Sequence, residues 1–256
     1  SGGPGNDYFR SGIGDDHYDG SDDMDTLDYS LSVKGIRADL AAGTTSTFGD
    51  QGSDTTTSIE NLIGTTEVDE FTGDDGDNYF VGNGGVDELT GAGGDDVFEP
   101  LGGADIVDGG DGQDAVVYAA APRPVTADLA SGFANGHGAD TLLGIEDLIG
   151  SRWPDLVRGS EDRNVFIGGE GGDILEGLTG DDYLDGQNGF DTLDGGDGVD
   201  QCVNGESMLD CEGSQPTSAD ADATKLQTRF TTFEALKLKW SETEQRMQEA
   251  PGFSVL

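Results

Sequence analysis

Aspartate returns every nine residues along much of this 256-residue chain. It stands at Asp7, Asp16 and Asp25, at Asp87, Asp96, Asp105 and Asp114, and at Asp173, Asp182, Asp191 and Asp200. Asn78 and Asn164 occupy the same register at the start of the second and third groups. Carboxylates in such number serve two chemistries: proton transfer between paired acids, and coordination of hard cations through oxygen. Nothing around them supports the first. The sequence has no H-E-x-x-H, no G-x-S-x-G and no Cys/His pair at plausible spacing. His17 falls at an outward strand position and His137 in a glycine-rich loop, where surface placement explains both. The expectation is a binding array and not an enzyme.

The elements that must position these acids follow from the same period. Residues 2–28, 73–117 and 159–212 keep one nine-residue register, with aspartate at position six. Position eight is Phe9, Tyr18 and Leu27 in the first stretch, then Phe80, Leu89, Phe98, Val107 and Val116. In the third it is Phe166, Leu175, Leu184, Leu193, Cys202 and Cys211. Glycine dominates positions one, two and four, as tight turns require. Six residues turn and three extend, so two units make one coil. Neighbours in a strand alternate faces, which sends position eight inward and positions seven and nine outward. His17, Thr26, Glu88, Asp108, Glu176 and Asp185 fit that outward assignment. Coils stack at about 4.8 Å, so acidic turns face each other along each edge and repel unless a cation lies between them. Calcium suits an oxygen-only donor set of flexible geometry. Magnesium demands a tighter octahedron, and transition metals want imidazole or thiolate.

Composition narrows the partners. The chain holds 53 Asp plus Glu against 12 Lys plus Arg, a formal charge of −41, and is 33% hydrophobic. Taken alone, these figures fit a disordered acidic linker; the unbroken apolar or cysteine identity of position eight argues against it. Nucleic acid and anionic membrane surfaces are excluded by charge. No window approaches the ~18 apolar residues of a membrane span, and no secretion signal opens the chain. The sequence begins inside a repeat (Ser1, then Gly2-Gly3-Pro4-Gly5), which predicts a fragment or processed product of something longer.

The units GGDGQDAVV (109–117) and GGEGGDILE (168–176) resemble the RTX, or haemolysin-type, calcium-binding repeat. The resemblance covers fourteen units. It implies a parallel β-roll with calcium held between successive turns, in a protein exported to a calcium-rich medium. Carried over by position, aspartates two units apart share an ion. The full pairs are Asp87 with Asp105, Asp96 with Asp114, Asp173 with Asp191, and Asp182 with Asp200. Asp7 with Asp25 is weaker, because Asp23 replaces a turn glycine. Asn78 with Asp96 and Asn164 with Asp182 keep oxygens but lose a charge, and Leu209 leaves Asp191 without a good site above it. Five to seven calcium ions are expected.

The two interruptions match each other: IRADLAAG (36–43) resembles VTADLASG (125–132), and SIENLIG (58–64) resembles GIEDLIG (144–150). They read as wider strand coils extending the solenoid, with independent small β-domains as the alternative. Cys202 and Cys211 are expected to form a disulfide across the roll, against the alternative of two buried thiols. Leu226, Phe230, Phe233, Leu236, Trp240 and Met247 mark residues 222–249 as an amphipathic helix. That helix caps the open end, binds another chain or mediates self-assembly, or belongs to an export signal; its Lys225, Arg229, Lys237 and Lys239 suit the acidic body.

The expected fold is all-β, a parallel β-roll or β-solenoid with a C-terminal α-helix. Its segments are the repeat block 1–28, an insert 29–72, a block 73–117, an insert 118–158, a block 159–212, and a linker with helix 213–256. The functional expectation is a secreted or cell-surface structural, adhesive or assembly segment that folds on calcium. The alternative is the calcium-dependent accessory and secretion region of a secreted hydrolase or toxin whose catalytic domain lies outside this chain.

Overall fold

A computed structural model describes residues 1–48, 52–211 and 218–249, with helix side chains described over 221–235 and at Lys237. The nine-residue period becomes a parallel β-solenoid of about eleven turns with one C-terminal helix. Three-residue strands such as Tyr79–Val81, Val97–Glu99 and Ala115–Val117 pair in parallel at a spacing of eighteen residues, or two units. Alternate units build opposite walls: a ten-stranded sheet and a fourteen-stranded sheet.

Position eight fills the space between the walls. Phe80, Phe98, Val116 and Phe166 come from one sheet and Leu89, Val107, Leu175 and Leu193 from the other, all buried. Register stacks like on like, Phe80 on Phe98 and Leu89 on Val107. The Phe71–Phe80 and Phe80–Phe98 rings meet edge to face at 5.6 and 5.9 Å. Each such side chain contributes roughly 1.5–3 kcal/mol by leaving water, which gives a narrow roll a continuous core.

The segments between the repeat blocks feed both sheets: Asn61–Ile63 and Asp147–Ile149 join the ten-stranded wall, and the remaining strands join the fourteen-stranded one. Ile36–Asp39, Thr44–Thr47 and Ser53–Thr57 form an antiparallel meander whose outer strands pair in parallel with Glu70–Thr72 and His17–Asp19. Thr126–Asp128, Phe133–Asn135 and Ala139–Leu143 repeat that arrangement. Residues 64–72 and 150–158 pair in register with the units that follow them, Phe71 opposite Leu89 and Val157 opposite Leu175.

Two outward assignments differ from expectation. Thr26 is buried and accepts a hydrogen bond from Asn61 Nδ2. On the ten-stranded sheet the outward residues Tyr79, Val81, Val97, Ala115, Val117, Val165 and Ile167 form a second apolar cluster under helix α1 (Ser218–Glu249). Ala223, Leu226 and Phe233 of α1 are buried in it, and the Phe233 ring stacks on Tyr79 at 3.8 Å. The helix thus lies on the side of the solenoid and does not cap its end. The apolar residues offered for contact with another chain are, at Leu226 and Phe233, covered by the chain's own sheet. Lys225 pairs with Asp77 and Asp95, Lys237 with Glu99, and Arg229 donates to the carbonyls of Asp95 and Asn78. Leu236, Lys239, Trp240 and Met247 lie outside the described side chains.

The last unit slips. Met208, not Cys211, pairs with Leu193, because Ser207–Leu209 runs fifteen residues after Thr192–Asp194 instead of eighteen. Cys211 still reaches Cys202 in a disulfide, with Cα atoms 5.7 Å apart.

Candidate metal centre

Each turn ends on the position-six residue, and the parallel register stacks these residues in two rows, one per edge. Backbone hydrogen bonds fix one oxygen of most of these carboxylates. Asp25 Oδ1 accepts the Asp7 N–H, Asp105 Oδ1 the Asp87 N–H and Asp114 Oδ1 the Asp96 N–H, at 2.7–2.9 Å. Asp191 does the same for Asp173, and Asp200 for Asp182. Asn78 and Asn164 donate their N–H groups to Asp96 and Asp182. All the pairs expected from the repeat resemblance are thus brought together.

The second oxygen is left bare. Oδ2 of Asp7, Asp25, Asp87, Asp96, Asp105, Asp114, Asp173, Asp182 and Asp191 is buried with no hydrogen-bond partner. A buried unpaired carboxylate oxygen costs several kcal/mol, so nine of them in one small fold call for a common ligand. Position one shows where it goes. A side chain at Gly91 would overlap Asp96 Oδ2 and the Gly109 carbonyl; at Gly168 it would meet Asp173 Oδ2 and the Gly186 carbonyl. Carboxylate and carbonyl oxygens therefore converge on a cradle that glycine leaves open at each of these turns except that of Asp105, where Pro100 holds position one. Among the described residues no group of three or more His, Cys, Asp or Glu side chains gathers at one point. Backbone carbonyls must supply the rest of the donor set. Oxygen alone, mixed carboxylate and carbonyl, fits calcium.

Burial raises these acids. Asp87 is pushed up to about 8, Asp96, Asp114, Asp173 and Asp182 to about 7, and Asp105 to about 6. Neighbouring carboxylates add to the rise, Asp69 and Asp105 at Asp87, Asp114 at Asp96. Without a countercharge these sites favour the proton.

Several members of the rows escape a strict nine-residue search. Glu60, Glu146 and Glu206 accept the N–H groups of Asp25, Asp114 and Asp191. Glu206, not Leu209, therefore stands above Asp191, which corrects the expectation of no partner there. Asp54 and Asp140 serve Asp16 and Asp105 across the inserts, while Asp69 and Asp155 accept the Ile36 and Val125 N–H groups. The signal for the last two was present: GTTEVDEFT and GSRWPDLVR keep the glycine, aspartate and apolar residue at positions one, six and eight. His17 Nδ1 meets Thr55 Oγ1 and His137 Nε2 the Ala120 carbonyl, each at 2.8 Å and away from the rows.

The family model of the RTX calcium-binding nonapeptide repeat matches residues 1–27, 63–98, 81–116, 140–175, 154–184 and 176–206, together more than half of the chain. The matched spans include both units hidden in the inserts. No curated protein matches the chain. Among the described residues no helix is long and apolar enough to cross a membrane.

Proposed function

Because the chain belongs to the RTX calcium-binding nonapeptide repeat family, we propose that this calcium-binding β-roll is a secreted structural segment whose repeat turns close on calcium. The observation that carries this reading is the row of buried, partnerless Oδ2 atoms, which lie over position-one glycines in every such turn but that of Asp105. A bound calcium ion would supply two positive charges and a demand for six to eight oxygens. The chain's residues do the rest: Oδ1 atoms hold the backbone register, Oδ2 atoms and carbonyls present the donors, and glycine keeps the cradle clear.

Five of the gaps expected from the repeat lie between two of its aspartates: Asp7/Asp25, Asp87/Asp105, Asp96/Asp114, Asp173/Asp191 and Asp182/Asp200. Three more lie between an aspartate and Glu60, Glu146 or Glu206. Equilibrium dialysis is expected to find at least five calcium ions per chain, eight if the glutamate-edged gaps fill. Fewer than five, or equal uptake of magnesium, would overturn the assignment.

The disulfide and the family's usual extracellular setting support secretion, since such a bridge persists in oxidising compartments. We take segments 29–72 and 118–158 as wider coils of one solenoid, supported by their strands pairing within both walls of it. The helix is read as an intramolecular strap.

A further inference from the structure

The turns fall into two kinds, and we infer that one kind needs no metal. In every turn whose aspartate keeps a bare Oδ2, the second residue is left-handed, as at Ala92 (φ 79°) and Leu178 (φ 82°). That geometry costs an L-residue roughly 1–3 kcal/mol, strain that a ligand must offset. Four other turns close from within the chain. In 64–69 and 150–155 the second residue is not left-handed, and its N–H reaches the bare oxygen: Thr65 N to Asp69 Oδ2 at 2.7 Å, Ser151 N to Asp155 Oδ2 at 2.6 Å. The Thr65 and Ser151 hydroxyls donate to the same carboxylates.

In 73–78 and 159–164 asparagine takes position six. Asn78 Oδ1 accepts the Asp74 N–H and Asn164 Oδ1 the Ser160 N–H, at 3.0 and 2.9 Å. Their amide groups donate to the carbonyls of Glu60 and Glu146 at 3.2 and 2.7 Å. A donor built into the chain thus occupies the place of the cation. The neighbouring coil is closed in the same way, because buried tyrosine hydroxyls cap the aspartates there: Tyr29 to Asp54 Oδ2 at 3.0 Å and Tyr118 to Asp140 Oδ2 at 2.8 Å.

These features sit together. Asp54, Asp69 and Asn78 recur as Asp140, Asp155 and Asn164, each 86 residues on. Each module therefore carries one stretch, 54–81 and 140–167, whose position-six side chains are satisfied within the chain; apart from the edges at Glu60 and Glu146, it holds its strands without calcium and gives the metal-dependent units a template to stack on. A solenoid whose stability is a sum of neighbour terms can fold outward from such stretches. This inference uses the calcium reading only for the other turns.

Hydrogen–deuterium exchange of the full chain in excess chelator tests it. Protection is expected to persist in peptides from 54–81 and 140–167 and to be lost over 82–117 and 168–203, returning there with calcium. Loss of protection everywhere in chelator, with full recovery in calcium, would overturn the inference and leave the calcium reading intact. Equal protection everywhere in chelator would overturn both. Asn164→Asp should remove chelator protection from 159–167 while leaving 54–81 unchanged; protection retained at 159–167 counts against the inference.

Discussion

Replacing Asp173 with asparagine separates the two tasks of its carboxylate. Oδ1 accepts the Asp155 N–H at 2.8 Å, which an amide oxygen can also do. Oδ2 is buried without a partner beside the Gly186 carbonyl, and there the variant places an N–H donor. The turn of Asp155 is capped by Ser151, so the substitution removes one metal gap only, the one shared with Asp191. An ion bound only by the folded state adds about 1.4 kcal/mol for each tenfold rise in free calcium above its dissociation constant. The slope of unfolding free energy against the logarithm of calcium should therefore fall by about 1.4 kcal/mol per decade. The offset has the opposite sign. Burial lifts Asp173 to about 7, so near neutral pH without metal the carboxylate is the poorer occupant and the amide the better. The two stability lines must cross, with Asp173→Asn more stable at low calcium and less stable at high. Urea unfolding followed by circular dichroism across buffered calcium concentrations reads both effects. A uniform loss at every concentration, with the slope unchanged, would refute the assignment of Oδ2 to a metal gap.

In chelator, acid should restore structure. Folded values of about 6 to 8 at Asp87, Asp96, Asp105, Asp114, Asp173 and Asp182 lie above the unfolded carboxylate value near 3.9. The metal-free fold then binds more protons than the unfolded chain, so this contribution is complete below about pH 4 and disappears as pH rises through 6 to 8; strand signal in chelator at pH 5 against pH 8 checks it. Replacing Cys202 and Cys211 together by serine opens a loop of nine-residue separation and should cost about 2.5–3 kcal/mol, read as lost exchange protection in the last coil. Phe233→Ala removes the ring stacked on Tyr79 and should cost roughly 3 kcal/mol of helix docking, read as proteolytic release of α1 with the solenoid strands intact.

Much of this was legible because the repeat spells out its own geometry. Position eight named the core side chain by side chain, and the repeat resemblance, carried over by position, paired Asp87 with Asp105 and Asp173 with Asp191. The departures have physical sources. Units 64–72 and 150–158 lack the turn glycine at position four, carrying Glu67 and Trp153 there, so a glycine-led reading passes over them. Yet those replacements accompany the turns that cap their own aspartates. The lateral helix site was written in alternate units, where positions seven and nine are mostly apolar (Tyr79, Val81, Val97, Val165 and Ile167, with Glu99 an exception) while the units between carry Glu88, Asp108 and Glu176. Reading every unit as one averaged strand erased that eighteen-residue alternation. The slip at Ser207–Leu209 was hidden because Cys211 also falls on the nine-residue count.

The central claim is that opposed acidic turns close only around calcium, and far-UV circular dichroism of one sample carried from excess chelator into millimolar calcium tests it most directly. The greater part of the strand signal should be missing in chelator at neutral pH and should return with calcium but not with magnesium. A complete strand signal in chelator would contradict the account.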